Sequence, residues 1–228
     1  MTPLARRSEA PILTNRLVPP PVRRRWLAAR SGLPITGRIF GIGLSRTGTM
    51  SLTRALTLLG YRSIHFPDDE RTMSEVMAYL DSRARRLRLS ILERFEAATD
   101  TPICAAFEAL DASYAGSRFI LTTRGKDSWL DSCRRYWARW IEPYLGRGDA
   151  AAAYMTAIHE RLYGTALFDE ERFSRAYDDY HARVRLHFAE RPNDLLDLGI
   201  THGEGWEPLC GFLNVHRPEA EFPWERNR

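Results

Sequence analysis

A chain of 228 residues with 44% hydrophobic and 27% charged residues is long enough for one sizeable core and reads as a globular domain. No apolar run approaches the ~18 residues of a membrane span, and no apolar stretch follows the basic N-terminal residues as a secretion signal would require, so a cytoplasmic location is expected. The formal net charge of +4 hides an asymmetry: residues 1–37 hold seven Arg and one Glu, a balance of +6, which leaves −2 for residues 38–228 and argues against a basic nucleic-acid-binding face.

Residues 1–37 carry Pro3, Pro11, Pro19, Pro20, Pro21 and Pro34 without hydrophobic periodicity, and read as a flexible basic tail. From Arg38 to the end the chain reads as one domain. Ile39–Gly43 is a strand, and Met50–Leu59 a helix with apolar residues at Leu52, Ala55, Leu56 and Leu59. Gly60 ends that helix. Tyr61–Phe66 is a second strand, with helical patterns after it at Ser74–Tyr79 and Arg85–Ala97. The spacing then predicts a third strand at Pro102–Ala105, a helix at Phe107–Tyr114 and a fourth strand at Arg118–Thr123. Residues 128–188 read as mostly helical, with breaks at Pro143, Gly146–Gly148 and Gly164. Leu195–Leu198 is a fifth strand and Gly205–Leu213 a last helix. Strands alternating with helices predict a parallel sheet covered on both faces, a three-layer α/β/α arrangement of about five strands. Ligands in such sheets bind at the carboxyl ends of the strands.

The first such end carries Gly43-Leu44-Ser45-Arg46-Thr47-Gly48-Thr49. A tight glycine-bearing turn between a buried strand and a helix aims backbone N–H groups and a positive helix end at one point, which attracts phosphate or sulfate. Gly43 and Gly48 have the separation of a Walker A loop. Thr49 and Met50, however, stand where that motif needs Lys and Ser or Thr. The loop cation is Arg46, which counts against an ordinary kinase or NTPase. The fourth strand ends on Arg124, with Ser132 eight residues further in the following helix, so a guanidinium fork and a hydroxyl can converge on a second anion.

Together, the Ser45–Thr49 loop and the Arg124/Ser132 pair resemble the P-loop-type sulfotransferases that use 3′-phosphoadenosine 5′-phosphosulfate (PAPS). The aromatic-rich helix after Arg124 and the segment Gly205–Leu213 extend the resemblance over about residues 38–214. It implies sulfuryl transfer to a hydroxyl or amine of a small-molecule, glycan or lipid acceptor, with 3′,5′-adenosine bisphosphate as product. Arg46, Thr47, Gly48, Thr49, Met50 and Ser51 would bind the 5′-phosphosulfate, and Arg124 and Ser132 the 3′-phosphate. Arg46 would also stabilise charge on the leaving phosphate. Many members have Lys at the Arg46 position; Arg stabilises charge there but gives up no proton. Many also place an adenine-stacking Trp where Ser51 stands, and here Trp206 and His202 are the candidates in its stead.

Transfer needs a base for the acceptor proton. Asp100, ahead of the third predicted strand, and His65, at the end of the second, are both candidates, with Asp100 favoured by position. The remaining histidines show no ligand-like pairing and the cysteines no C-x-x-C spacing, so no metal site is expected. Trp129, Tyr136, Trp137, Trp140 and Tyr144 lie in one helical stretch and serve either core packing or an acceptor pocket, within a helical region of about 134–190. Two other readings stand beside the sulfotransferase: a P-loop kinase of nucleotides or small molecules, and a non-catalytic nucleotide-binding member of the same fold.

Overall fold

The computed structural model describes residues 37–225; the flexible tail expected for residues 1–37 lies, apart from Gly37, outside them. Five strands form one sheet: Ile39–Gly41 (β1), Ser63–His65 (β2), Ala97–Thr99 (β3), Arg118–Thr122 (β4) and Leu195–Leu198 (β5). Their order is β2-β3-β1-β4-β5 and every pairing is parallel. The chain leaves β1 toward one side of the sheet and returns to fill the other side with β4. The carboxyl end of β1 is therefore the point where the winding reverses, and crevices open there in such sheets.

Neighbouring strand residues face opposite layers, as the pleat requires. Ile39, Ala97 and Ile120 pack with the helices Thr49–Leu58 (α1) and Trp206–Leu213 (α8) on one face. Phe40, Ala98, Phe119 and Leu121 pack on the other, against Glu70–Leu80 (α2), Phe107–Ser113 (α3), Lys126–Tyr136 (α4), Ala150–Tyr163 (α6) and Glu170–His187 (α7). The short helix Glu142–Leu145 (α5) connects α4 to α6 through a π-helical turn at Trp137–Ile141. The result is the α/β/α three-layer sheet that the alternating pattern predicts. Trp129 and Trp137 are fully buried core residues.

The sequence reading misplaces the third strand. It lies at Ala97–Thr99, starting on the last residue of the predicted helical pattern Arg85–Ala97, and the predicted strand Pro102–Ala105 falls largely in a 3₁₀ turn over Ile103–Ala106. Alanine favours helices by propensity, but here the segment pairs with β1 and β2 on its two sides and is fully buried, and tertiary context overrides propensity. Nor do residues 85–89 form a helix. The Leu87, Leu89 and Ser90 amides donate to the side chains of Ser113, Tyr114 and Glu75 in place of a helical ladder. Helix α2 starts four residues earlier than its periodicity suggests, because Asp69 caps it by accepting from Thr72 N at 3.2 Å.

Gly43 permits the close approach on which the β1 turn depends. A Cβ there would collide with the Thr122 hydroxyl at the end of β4 and come within 2.7 Å of Thr47 Oγ1. Gly43→Ala is therefore expected to lose about 1–3 kcal/mol of stability through overpacking. That corresponds to a thermal midpoint lower by roughly 2–10 °C, readable by differential scanning calorimetry.

Candidate active site: an anion cradle beside a buried carboxylate

The loop between β1 and α1 has its carbonyls tied away from the crevice. Tyr180 Oη donates to Ile42 O at 2.5 Å, Thr47 Oγ1 to Leu44 O at 2.6 Å and Trp129 Nε1 to Ser45 O at 2.9 Å. Arg124 Nη1 donates to Arg46 O at 3.2 Å. With the oxygens satisfied by the surrounding protein, the loop turns its amides the other way, the arrangement of an anion-binding nest. Helix α1 continues it. Its N-cap is Gly48, at φ 106°, with no side-chain cap and no acidic residue in the first turn. The amides of Thr49, Met50 and Ser51 thus have no acceptor within the helix, and no acidic residue of its own first turn offsets the positive end of its dipole.

Two guanidinium groups border these amides. Arg46 donates through Nε to Ser132 Oγ at 3.1 Å and lies 4.6 Å above the Tyr136 ring. Arg124, at the end of β4, donates through Nε to Ser128 Oγ at 3.1 Å. Among the described residues neither group forms an ion pair with a carboxylate. Burial, and then the nearby Arg46 charge, push the Arg124 pKa down. Two cations held together without carboxylate partners, beside orphan amides, suit an anion. The sequence reading gave Arg46 to one anion and Arg124/Ser132 to another; the structure joins all three in one cluster, with Arg46 touching Ser132 and Arg124.

A carboxylate sits on the other side of the loop. Asp100 follows β3 directly and does not precede the third strand, as the sequence reading had it. The residue is 5% exposed. Its Oδ1 accepts from Ser45 Oγ at 2.5 Å and from Thr101 N at 2.7 Å, and its Oδ2 from Thr49 Oγ1 at 2.5 Å. His65 Nε2, at the end of β2, lies 3.1 Å from Oδ2 and 3.2 Å from Thr49 Oγ1. Burial alone would raise the Asp100 carboxyl. The bonds from His65, Ser45 and Thr49, with the His65 charge, outweigh it and hold the group well below the usual carboxylate range.

These contacts fix the histidine tautomer. Thr49 has one hydroxyl proton and spends it on Asp100, so the oxygen can only accept from His65. Nε2 therefore carries a proton in either charge state, and in the neutral form of the ring the lone pair falls on Nδ1. Among the described residues Nδ1 has no hydrogen-bond partner. The two base candidates thus form one contacting pair, in which both Asp100 oxygens are already occupied. Backbone strain gathers here as well, since Arg46, Phe66 and Asp100 have φ of 76°, 50° and 68° after β1, β2 and β3.

The hydroxyls of the loop are largely committed. Thr47 and Thr49 donate inward, and Ser51 Oγ accepts from Glu225 N at 2.9 Å. The Thr47 amide donates to Leu44 O at 3.3 Å, so the donors left in this stretch are the backbone amides of the first turn of α1, whereas the sequence left hydroxyls open as donors. Of the two aromatic or imidazole groups considered for adenine, Trp206 is buried with its N–H given to Ala220 O at 2.7 Å, and His202 stays exposed beside Gly125. From sequence, Ser45 is only a member of the loop and Tyr136 only a member of the aromatic stretch, neither with a role at the anion site. Ser45 lies next to the loop cation and could have been flagged. Tyr136 stands four residues after Ser132, on the same helical face; its phenol, pushed up to about 12 chiefly by burial, stays neutral beneath Arg46.

A parallel α/β sheet with orphan helix amides and paired arginines at its switch point is suited to holding an anion. Residues 38–228 match the model of the sulfotransferase domain family (Sulfotransfer_4), and the chain belongs to that family. It is also similar to Ava biosynthesis cluster protein M of Aspergillus versicolor, with 29% identity over 212 residues, covering 82% of this chain and 79% of that protein.

Asp100→Asn leaves hydrogen-bond donors facing an amide and is expected to cost on the order of 3 kcal/mol. The carboxyl ionises lower in the folded chain than its unfolded value of about 3.9. Its contribution is therefore complete above about pH 4 and is lost as pH falls through the folded value. Urea midpoints measured from about pH 5 down to about pH 3 should fall more steeply for the wild type than for Asp100→Asn; equal slopes would show that this carboxyl is not held ionised.

Proposed function

We propose that this chain transfers a sulfuryl group from PAPS to a hydroxyl or amine of a small-molecule acceptor. The observation that carries the reading is the pair of ion-unpaired arginines, Arg46 and Arg124, set against the orphan amides of the first turn of α1. A nucleotide with phosphates at both the 3′ and 5′ positions fits a cluster with two guanidinium groups better than a singly substituted one. When bound, the donor supplies a sulfuryl group joined to a phosphate through a cleavable S–O bond. The amides of Gly48–Ser51 and Arg46 hold the 5′ side, and Arg124 with Ser132 holds the 3′-phosphate.

His65 Nδ1 takes the acceptor proton as the acceptor oxygen or nitrogen bonds to sulfur, while Asp100 keeps the ring in the tautomer that can accept it. Arg46 and the loop amides stabilise the charge gained by the phosphate oxygen as its bond to sulfur breaks. Sulfated acceptor and 3′,5′-adenosine bisphosphate leave, and the proton on His65 passes to solvent. A relative named for a biosynthesis cluster supports a small-molecule acceptor.

Thermal-shift titration tests the donor site: 3′,5′-adenosine bisphosphate is expected to raise the melting temperature of the wild type, and Arg124→Ala to abolish the shift. No shift in the wild type would defeat the reading. For the base, His65→Ala is expected to lower the transfer rate by about 10²–10⁴ while nucleotide binding persists. Labelled-sulfate transfer over an acceptor panel measures the rate, and an undiminished one would remove His65 from that role.

A further inference from the structure

A cavity of about 550 Å³ opens between the last turn of α6 and a stripe of α7 that runs from Arg172 to Arg183. That volume lies in the range of small-molecule sites. None of its lining residues belongs to the cluster around Arg46, Arg124 and Ser132.

The lining carries three guanidinium groups, Arg172, Arg175 and Arg183, against one carboxylate, Asp179. On α7 they recur at spacings that keep them on one helical face. Arg172 forms no ion pair among the described residues, and its Nη1 donates to Gly164 O at 2.8 Å. Arg175 pairs with Glu171, and Arg183 with Glu108 at 3.2 Å, all four side chains being open to solvent. Ion pairs that face water add little stability, so an arriving anion displaces them at low cost. Each guanidinium then offers a planar fork that fits a carboxylate or a sulfate.

Under the exposed arginines the cavity is apolar. Leu162, Tyr163 and Tyr180 line it and are buried, and Arg183 lies 5.5 Å over the Tyr180 ring. The buried Tyr163 hydroxyl has no hydrogen-bond partner among the described residues. An aromatic floor beneath a rim of cations suits a flat body with a negative group at one end.

We propose that this cavity is a second ligand site, separate from the anion cradle, for a small organic anion: an aromatic body on the tyrosine floor, with one sulfate, sulfonate or carboxylate group among the arginines. The site stands whether or not the chain uses PAPS, since it shares no residue with the donor reading.

Isothermal titration of the full chain with three probes of one aromatic body tests it: 2-naphthalenesulfonate, 2-naphthoate and the neutral 2-naphthamide. The wild type is expected to bind one equivalent of either anion, and the amide at least about tenfold more weakly. Excess 3′,5′-adenosine bisphosphate should not displace the anions. Arg172→Gln and Arg183→Gln should each weaken both anions at least about tenfold. Ala176→Trp, which fills the cavity, should abolish binding, and Arg124→Ala should leave it unchanged. Melting curves check that the variants fold, and should Ala176→Trp fail to fold, the two arginine variants decide alone. Binding of the sulfonate without the naphthoate would support the site and restrict it to sulfate-type anions. No binding of either anion, wild-type affinity in the cavity variants, or displacement by the bisphosphate would overturn the proposal.

Discussion

The structure of this site depends on one buried negative charge. Asp100 lies where three strand ends meet: it follows β3, accepts from the loop after β1 and touches the histidine that ends β2. A carboxylate at this depth persists only if its charge is spread over donors. Ser45, Thr49, Thr101 N and His65 supply them, and each is thereby fixed in position. The shape of the loop, the start of α1 and the tautomer of His65 follow from the same set of bonds.

That arrangement has a consequence for the ligand. An anion entering the crevice meets a nearby carboxylate, and the two would repel. The donors around Asp100 draw its charge inward, and the loop stands between it and the arginines. The cost is that the hydroxyls of Ser45 and Thr49 are no longer available to the incoming anion. Backbone amides replace them, which demands that the loop carbonyls be tied elsewhere. Trp129, Tyr177 and Tyr180 serve that purpose: two hold loop carbonyls directly, and Tyr177 donates to Arg124 O at 2.5 Å, fixing the strand end beside the loop. Part of the aromatic and helical region that reads from sequence as core packing is therefore also scaffold for the cradle.

What the sequence made legible were features written in local order. The strand-to-helix pattern, the glycines flanking the loop and the position of Arg124 at a strand end are all carried by neighbouring residues, and the sheet follows from them. Features built by distant contacts were hidden. Ala97–Thr99 has no strand character of its own and becomes a strand because β1 and β2 enclose it. The His65–Asp100 pair joins the last residue of β2 to the residue after β3, neighbours only because that hidden strand pairs with β2, so the sequence could offer both as bases but could not couple them. The bond from Glu225 N to Ser51 Oγ spans 174 residues and leaves no local trace.

Arg46 shows how the two halves of the site are kept distinct. It follows Ser45 directly, yet Ser45 reaches Asp100 on one side while Arg46 reaches Ser132 and Tyr136 on the other. Its left-handed backbone, at φ 76°, gives the sharp turn between them. Glycine would adopt that conformation freely, whereas a side chain costs on the order of 1 kcal/mol. The strained arginine is explained if the guanidinium is required at the position where the backbone is least hospitable to it. Stacking on Tyr136 and the Ser132 bond then offset part of that strain, so the cation is held at the boundary between the helix amides of α1 and the His65–Asp100 pair.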